Sequence, residues 1–234
     1  MIAAYRTNQG KVRATNQDSL LCAEGKYPLY LVADGMGGHR GGDVASAMAV
    51  ECLSGLDLSQ TPDEEVLKAI VQRANALIWD RQIKDVSLSG MGTTLTALWE
   101  GENHVLLAHV GDSRAYRYYG GALVQISQDH SLVGELLRSG AITKEMARHY
   151  PYRNIITRAI GTDVSLKCDT HRVQKQAGER WLLCSDGLTE YAEPAQLEEA
   201  MGMPLEDAAD FLMAIAMDGG GRDNITLILL EARA

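Results

Sequence analysis

The sequence predicts a layered α+β fold in which helices cover sheets of largely buried strands. Two observations carry this prediction: short apolar runs rich in β-branched and aliphatic residues recur along the chain, and long helical patterns fall between strand hairpins. With 234 residues, 46% of them hydrophobic, the chain is long enough to bury a substantial core. We therefore expect one domain that spans residues 1–234.

Four apolar runs are predicted to be buried core strands, and they occupy residues 30–33, 105–110, 181–184 and 225–230. A further run, residues 93–99, is expected to pair with the second of these strands across a turn at Gly101. The Thr61-Pro-Asp-Glu64 segment has the pattern of a capping box with proline at the first helical position, and apolar residues follow at helical spacing. Asp43 is expected to cap a helix over residues 44–53, and residues 205–217 are predicted to form another helix, ended by glycines.

Residues 128–161 depart from this regular pattern. Two short amphipathic pieces, 131–138 and 143–149, are broken by Gly140 and Pro151. An irregular segment inside a compact domain is either a functional flap or a tolerated loop, and the residues alone leave both open. Broken helices and glycines imply lower local stability than in the strands, so we predict a mobile flap that governs substrate choice.

Charge and cysteine content exclude several classes of protein. A formal net charge of −9 and a pI near 5.1 argue against nucleic acid or an anionic membrane surface as partner. The apolar runs are far shorter than the roughly 20 residues that span a bilayer, so no membrane insertion is expected. The four cysteines form no CxxC pair, and the first residues lack a secretion-signal pattern. A reducing, cytoplasmic location fits these features best.

Aspartates mark the edges of all four predicted core strands: Asp34, Asp112, Asp186 and Asp223. Any one of them alone is explained by a turn, because Asp and Gly commonly end strands. Four carboxylates that converge in one cleft would repel and raise each other's pKa unless cations offset their charge. Oxygen ligands favour Mg²⁺ or Mn²⁺, whereas a zinc site would normally include histidine or cysteine. Two such ions roughly 3.5–4 Å apart can activate a shared water and polarise a phosphate, which predicts phosphoester hydrolysis.

Arg13 stands close in sequence to a further aspartate, Asp18. The planar guanidinium fork matches two phosphate oxygens, so Arg13 is a candidate substrate clamp, with a surface salt bridge as the alternative. The glycine-rich stretch 35–42 fits no dinucleotide fingerprint, which requires glycine where Arg40 stands, and the chain has no P-loop sequence. We interpret these glycines as allowing the backbone to approach a metal.

Short motifs follow one another in a fixed order: RxxNQD at 13–18, VADGMGGH at 32–39, MGTT at 91–94, HVGDSR at 109–114, DHS at 129–131, CSDGLT at 184–189 and GRDNIT at 221–226. Taken together, they strongly resemble the bacterial PPM, or type 2C, serine/threonine protein phosphatases. The resemblance covers the chain from end to end. It implies a four-layer α/β/β/α sandwich with two central antiparallel β-sheets flanked by helices, and a metal cleft at one end.

The resemblance also implies roles for individual residues. Asp34 corresponds to the carboxylate that bridges two tightly bound ions, with the Gly35 carbonyl on one of them. Asp186 and Asp223 complete the coordination of the other ion, and Asp18 acts through metal-bound water. Asp34, Asp186 and Asp223 are therefore the expected catalytic residues.

Three further positions concern the third ion, the substrate and proton transfer. Asp112 resembles the aspartate that, together with Asp186, holds a weaker third ion near the flap, and Arg13 resembles the phosphate-binding arginine. Many eukaryotic members have histidine directly after the Asp-Gly pair, but Met36 stands there in this chain. His39 is the candidate replacement as general acid, with a metal-bound water as the alternative. Gln17 replaces a glutamate that many relatives carry.

The reaction implied by these residues is direct attack of a metal-activated water on phosphoserine or phosphothreonine. No residue is set up as a nucleophile beside a base, which argues against a phosphoenzyme. Two alternatives stay open, a non-catalytic phosphoprotein-binding relative and a small-molecule phosphatase of the same fold. The partners implied by the resemblance are phosphorylated proteins and a membrane-anchored serine/threonine kinase with its substrates, and a monomer is expected.

Overall fold

Two antiparallel β-sheets form the centre of the protein, and the computed structural model describes residues 1–37 and 41–232. In chain order the strands are β1 (Ile2–Asn8), β2 (Asp18–Ala23), β3 (Leu29–Met36), β4 (Gly92–Thr93), β5 (Leu95–Glu100), β6 (His104–Val110), β7 (Arg114–Tyr119), β8 (Ala122–Gln125), β9 (Asp169–Gln174), β10 (Arg180–Cys184) and β11 (Ile225–Glu231). One sheet has the order β1-β11-β10-β7-β8. The other has the order β2-β3-β5-β6-β9, with β4 paired to β3.

Seven helices lie in the described part of the chain. They are α1 (Gly42–Ser54), α2 (Glu64–Lys84), α3 (Leu132–Arg138), α4 (Lys144–Arg148), α5 (Asp186–Thr189), α6 (Pro194–Ala200) and α7 (Leu205–Gly219), with a 3₁₀ turn at Val86–Leu88. All but α3 and α4 pack on the outer face of a sheet. Buried residues of α1 and α2 pack on β3, β5 and β6, and those of α5 to α7 pack on β10 and β11. A third apolar cluster fills the space between the sheets. The predicted α/β/β/α sandwich is confirmed.

Strands in the middle of each sheet are buried on both faces, which explains their continuous apolar runs. In β3, Leu31 points toward the helices and Val32 toward the other sheet, and both are 0% exposed. In β11, Leu227 and Ile228 divide in the same way. Full burial of such a side chain stabilises the fold by about 1.5–3 kcal/mol.

The predicted hairpin and strands are confirmed, but two helix starts are wrong. Strand β5 pairs with β6 across the Gly101 turn, and Leu95 lies opposite Val110. Helix α2 begins at Glu64 because the Asp63 carboxylate, rather than Thr61, accepts the first free amides. Helix α1 begins at Gly42, one residue before Asp43, whose carboxylate instead lies in the positive first turn.

The segment 128–161 contains only the short helices α3 and α4. Each begins just after the predicted position, because the hydroxyls of Ser131 and Thr143 act as the N-caps. Antiparallel bridges join Ser131 to Ile156 and Thr93 to Ile160, so the segment leaves and rejoins the sandwich at nearly the same place.

Candidate active site

The predicted aspartates meet at one end of the sandwich. Asp18 begins β2 and lies opposite Asp34 in β3. Asp34 is inside β3, two residues before its end, and not directly after a strand as the sequence suggested. Asp112 follows β6, whereas Asp186 and Asp223 flank the paired ends of β10 and β11. Antiparallel pairing thus collects residues that are far apart in sequence.

Ser185 holds Asp18 across the gap between the two sheets. Its hydroxyl donates to Asp18 Oδ2 over 2.8 Å and accepts from the Thr226 amide over 2.9 Å. Burial raises the pKa of Asp18 to about 7, although hydrogen bonds to Thr226 and Ser185 oppose the rise. Ser185 therefore orients a predicted metal ligand, a role that the sequence did not indicate.

The backbone around Asp34 is equally constrained. The Asp34 amide donates to the Thr94 hydroxyl over 2.9 Å, and the Asp34 carbonyl accepts from the Thr94 amide over 2.8 Å. Gly35 packs against the start of α1 so closely that a Cβ would lie 2.0 Å from the Gly42 carbonyl oxygen. Only glycine allows this approach, which fixes the position of the Gly35 peptide.

The carboxylates carry the signature of a site for hard cations. Within residues 1–37 and 41–232, the buried Oδ1 atoms of Asp18, Asp112 and Asp186 have no hydrogen-bond partner. Burial raises the pKa of Asp112 to about 8, and the charge of Asp186 acts in the same direction. Burial raises the pKa of Asp186 to about 6, with Asp223 acting in the same direction and a hydrogen bond with Asp34 opposing it. Burial and the four surrounding aspartates raise the pKa of Asp34 well above its ordinary value. Buried, unpaired carboxylate oxygens are costly unless a cation binds them, and oxygen donors suit Mg²⁺ or Mn²⁺.

The spacing of the carboxylates is the next feature of the site. In the described part of the chain, no three Asp, Glu, His or Cys side chains are gathered at metal-coordinating spacing. The unpartnered oxygens are the more direct evidence for the donor set, because they record what each carboxylate lacks.

Arg13 approaches this cluster from the loop between β1 and β2. Its Nη2 atom lies 2.7 Å from Asp223 Oδ2, and this hydrogen bond is the main reason why the pKa of Arg13 is raised. Asn224 positions the loop, since its side chain donates to the carbonyls of Gln9 and Thr15 over 2.9 Å. The salt-bridge alternative is thus present, but its acidic partner is itself a predicted metal ligand.

A groove leads from the aspartates along the flap segment. A cavity of about 660 Å³ is bordered by Asp112, Asp186 and Asp223, by α3 and α4 on one side and by α5 and α6 on the other. Arg153 Nη2 and Glu190 Oε1, 2.8 Å apart, join its two walls. A larger cavity of about 860 Å³ lies at the opposite end and contains none of the predicted site residues.

Sequence reasoning gave no role to the polar residues beneath the flap. Arg114 binds Asp129 through Nε and Nη2 at 3.0 and 2.6 Å, and His130 contacts Gly111 and Asp169. The signal that could have found them is the DHS motif at 129–131, which was recognised only as part of the resemblance. The candidate acid His39 lies outside the described residues.

Solved structures define the class to which this fold belongs. The Mycobacterium tuberculosis serine/threonine phosphatase PstP/Ppp matches with a TM-score of 0.93 and 36% identity, covering 100% of this chain and 99% of that chain. The catalytic domain of the phosphatase PstP in complex with two manganese ions matches with a TM-score of 0.91 and 35% identity, covering 100% and 98%. The class is that of metal-dependent serine/threonine protein phosphatases.

Sequence comparison gives the family. The serine/threonine phosphatase stp of Listeria innocua is 42% identical over 241 residues, covering 99% of this chain and 96% of that protein. The family model "Protein phosphatase 2C" matches residues 8–219. The chain belongs to the protein phosphatase 2C family, so the predicted family and enzyme class are confirmed and a non-catalytic relative is not favoured. Among the described helices, none combines the length and apolarity needed to cross a membrane.

Proposed function

We propose that the aspartate end of the sandwich hydrolyses phosphoserine and phosphothreonine in proteins by direct attack of water on phosphorus. The observation that carries the proposal is the set of buried carboxylate oxygens without a hydrogen-bond partner at the mouth of the groove. Asp34, Asp186 and Asp223, with the Gly35 carbonyl, would hold two divalent cations, and Asp18 would bind a water beside them. Such cations offset the carboxylate charge and lower the pKa of water.

The surrounding side chains argue for water as the nucleophile. Ser185 is 0% exposed and donates to Asp18, and Ser113, also 0% exposed, shares a 2.8 Å hydrogen bond with Thr94. Cys184 is 0% exposed, and burial raises the pKa of its thiol to about 12. These two hydroxyls and this thiol are therefore shielded from a phosphate in the groove, which supports water rather than any of the three as the nucleophile.

Arg13 would bind the phosphate before the attack. Its side chain is 52% exposed, and it can exchange its contact with Asp223 for two phosphate oxygens once cations neutralise that aspartate. The serine or threonine oxygen takes up a proton as the phosphorus–oxygen bond breaks. His39 and a water molecule both stay candidates for the proton donor.

Two features support a third, weaker cation site beside the groove. Asp112 borders the groove, and its buried Oδ1 lacks a partner among the described residues. Asp186 is near enough to raise the pKa of Asp112. Asp112 and Asp186 would hold this third ion. Manganese is the first candidate because two manganese ions were found in the related PstP catalytic domain, and magnesium is the second.

The flap segment 128–161 would choose among substrates as part of one catalytic domain over residues 1–234. It forms a wall of the groove, and its contacts with the sandwich are concentrated at its base. Amide hydrogen exchange should be faster in α4 than in β10, and equal rates would contradict a mobile flap. Phosphorylated proteins, among them a membrane-anchored kinase and its targets, remain the proposed partners of a cytoplasmic monomer, and the four free thiols fit that compartment.

A metal titration with two kinds of substrate tests the proposal. Dephosphorylation of a phosphothreonine peptide is followed against Mn²⁺ and Mg²⁺ concentration, with metabolite phosphates as competitors and Asp34→Asn as the inactive control. We expect turnover of the peptide that saturates with metal and exceeds turnover of the metabolites. Preferential hydrolysis of a metabolite would favour the small-molecule phosphatase, and activity of Asp34→Asn equal to wild type would reject the site.

A further inference from the structure

His130 fastens the base of the flap to the loop that carries Asp112. Its amide donates to the Gly111 carbonyl over 2.7 Å, and its ring Nδ1 lies 3.0 Å from the Gly111 amide nitrogen. A backbone amide can only donate, so Nδ1 is the acceptor and the ring proton lies on Nε2. Both polar backbone groups of Gly111 therefore bind one residue, which is itself only 3% exposed.

The other ring nitrogen of His130, Nε2, also has a defined partner. Nε2 lies 3.1 Å from Asp169 Oδ2 in β9, and Arg158 Nη1 contacts Asp169 Oδ1 over 2.9 Å. Arg158 Nη1 is also 2.8 Å from Nε2, and since both nitrogens are donors, Asp169 is their common acceptor. Burial lowers the pKa of His130 and Arg158 acts in the same direction, whereas Asp169 opposes them. A neutral ring with a fixed tautomer follows.

The same residue joins the two ends of the flap. The His130 carbonyl accepts from the Thr157 amide over 2.8 Å, and the next residues pair in turn, Ser131 with Ile156 and the Leu132 amide with the Ile155 carbonyl. A displacement of the flap base therefore acts directly on His130.

Gly111 is the point at which such a displacement reaches the metal ligand. Its φ of +108° is a conformation that favours glycine, and a Cβ there would lie 2.5 Å from the Thr94 side chain. With no side chain of its own, Gly111 depends on its backbone hydrogen bonds for position. Asp112 is the following residue, so its carboxylate moves with the Gly111 peptide.

We infer that His130 is a positioning residue that couples the flap to the Asp112 carboxylate by holding both backbone polar groups of Gly111. The inference rests on the proposed function insofar as Asp112 is taken to bind the weaker cation. It goes beyond that function because it assigns to a buried histidine the link between substrate recognition at the flap and cation binding at the loop.

Two variants of His130 separate positioning from packing. In His130→Asn the side-chain oxygen can replace Nδ1 as acceptor for the Gly111 amide, but the side chain is too short to reach Asp169. In His130→Gln the amide extends toward Asp169 and leaves the Gly111 amide without its acceptor. Both variants remove the imidazole, so loss of packing alone would affect them similarly.

Three measurements are made on each variant: hydrogen exchange of the Gly111 amide, calorimetric titration of Mn²⁺, and kcat with KM for a phosphothreonine peptide. For His130→Gln we expect ~tenfold faster exchange at the Gly111 amide. We also expect ~tenfold weaker binding of the last cation, which is the weaker one assigned to Asp112, while the two tightly bound cations are retained. A fall in kcat should accompany weaker binding. His130→Asn should keep both properties closer to wild type.

Equal losses in both variants would reduce His130 to a packing residue and overturn the inference. Wild-type exchange at Gly111 and wild-type cation binding in His130→Gln would overturn it as well. Asp112→Ala keeps failure of the proposed function distinct. If Asp112→Ala binds the last cation normally, the assigned ligand is wrong, whereas the link between His130 and Gly111 is still tested by the exchange rates alone.

Discussion

The two ends of the sandwich treat buried carboxylates in opposite ways. At the end away from the groove, Glu100 is 7% exposed and accepts hydrogen bonds from Lys175 Nζ over 2.8 Å and from the Met1 ammonium over 2.5 Å. Burial alone would raise the pKa of Glu100, but these cations hold it below its ordinary value. Glu179, directly before β10, is fully buried and is paired with Arg117 over 2.5 Å.

At the groove end the same strands finish among uncompensated acids. Glu179 directly precedes β10, and Asp186 lies two residues after its end. Strand β3 begins with Leu29 opposite Trp99, next to Glu100, and contains Asp34 near its other end. Among the ion pairs formed by the described residues, none involves Asp18, Asp34, Asp112 or Asp186. The fold thus supplies internal cations to the structural acids Glu100 and Glu179, whereas Asp223, paired with Arg13, is the exception among the acids proposed to bind an external cation. The contrast separates stability from function within one set of strands.

The largest effect should come from removing the external cations. A chelator should abolish activity, by about a thousandfold or more, since the stabilisation lost at the reacting phosphate amounts to several kcal/mol. The folded state should persist, because the three apolar clusters and the ion pairs at the opposite end of the sandwich do not depend on the external cations. Activity assays and circular dichroism on the chelated protein check both statements. Full turnover after metal content is shown to be negligible would break the comparison.

Arg13 and Lys175 form the next test, because each is a cation beside a carboxylate at one end of the sandwich. Arg13→Ala should raise KM and lower kcat/KM, because the loss of a bidentate phosphate contact costs about 1.5–3 kcal/mol of binding free energy. The melting temperature should change little. Lys175→Met is the matched control and should lower melting temperature while leaving kcat/KM near wild type. Unchanged KM and kcat in Arg13→Ala would exclude a role in phosphate binding.

The same contrast explains what the sequence could and could not predict. Strands such as β3 and β11 were predictable because both faces are buried, which produces continuous apolar runs. The outer strands β1, β8 and β9 were missed because most of their residues are half-buried or exposed. In addition, the pairing partners of β1 and β9 lie far away in sequence. Local composition carries little information about such long-range pairing.

The residues of the site also differ in how far the sequence could predict them. Asp34, Asp186 and Asp223 stand in short, recognisable motifs at strand ends, so their convergence could be predicted before the topology was known. The contact of His130 with Gly111 spans 19 residues, and that with Asp169 spans 39. Both contacts depend on how the base of the flap packs against β6 and β9. No periodicity or spacing encodes that geometry, and only the folded structure shows it.

Asp112 offers a smaller effect within the groove end itself. Asp112→Ala should leave two tightly bound ions and a folded protein, because Asp34 and Asp223 do not depend on it for their backbone positions. Loss of the third ion should lower kcat by about tenfold, a change of about 1.4 kcal/mol in the activation free energy. Metal stoichiometry, melting temperature and kcat are measured on the same variant. Near-normal kcat across a range of Mn²⁺ concentrations would show that Asp112 only ends a strand.

The smallest expected effect is the most direct test of the comparison, because it concerns the sign of a stability change. Replacing Asp34 by Asn removes an acid whose ionisation is opposed by burial and by neighbouring aspartates in the folded state, so in chelator the Asp34→Asn variant should be more stable than wild type by about 1 kcal/mol. Glu100→Gln removes a carboxylate that Lys175 and the Met1 ammonium neutralise, and it leaves these two cations without their partner. This variant should therefore be less stable than wild type under the same conditions. In saturating Mn²⁺ the order for Asp34 should reverse, since ligand binding stabilises only the protein that retains its site. Thermal unfolding of the three proteins with and without Mn²⁺ resolves these signs. A loss of stability in chelated Asp34→Asn as large as that in Glu100→Gln would mean that the cluster is structural, and the two ends would then not differ in kind.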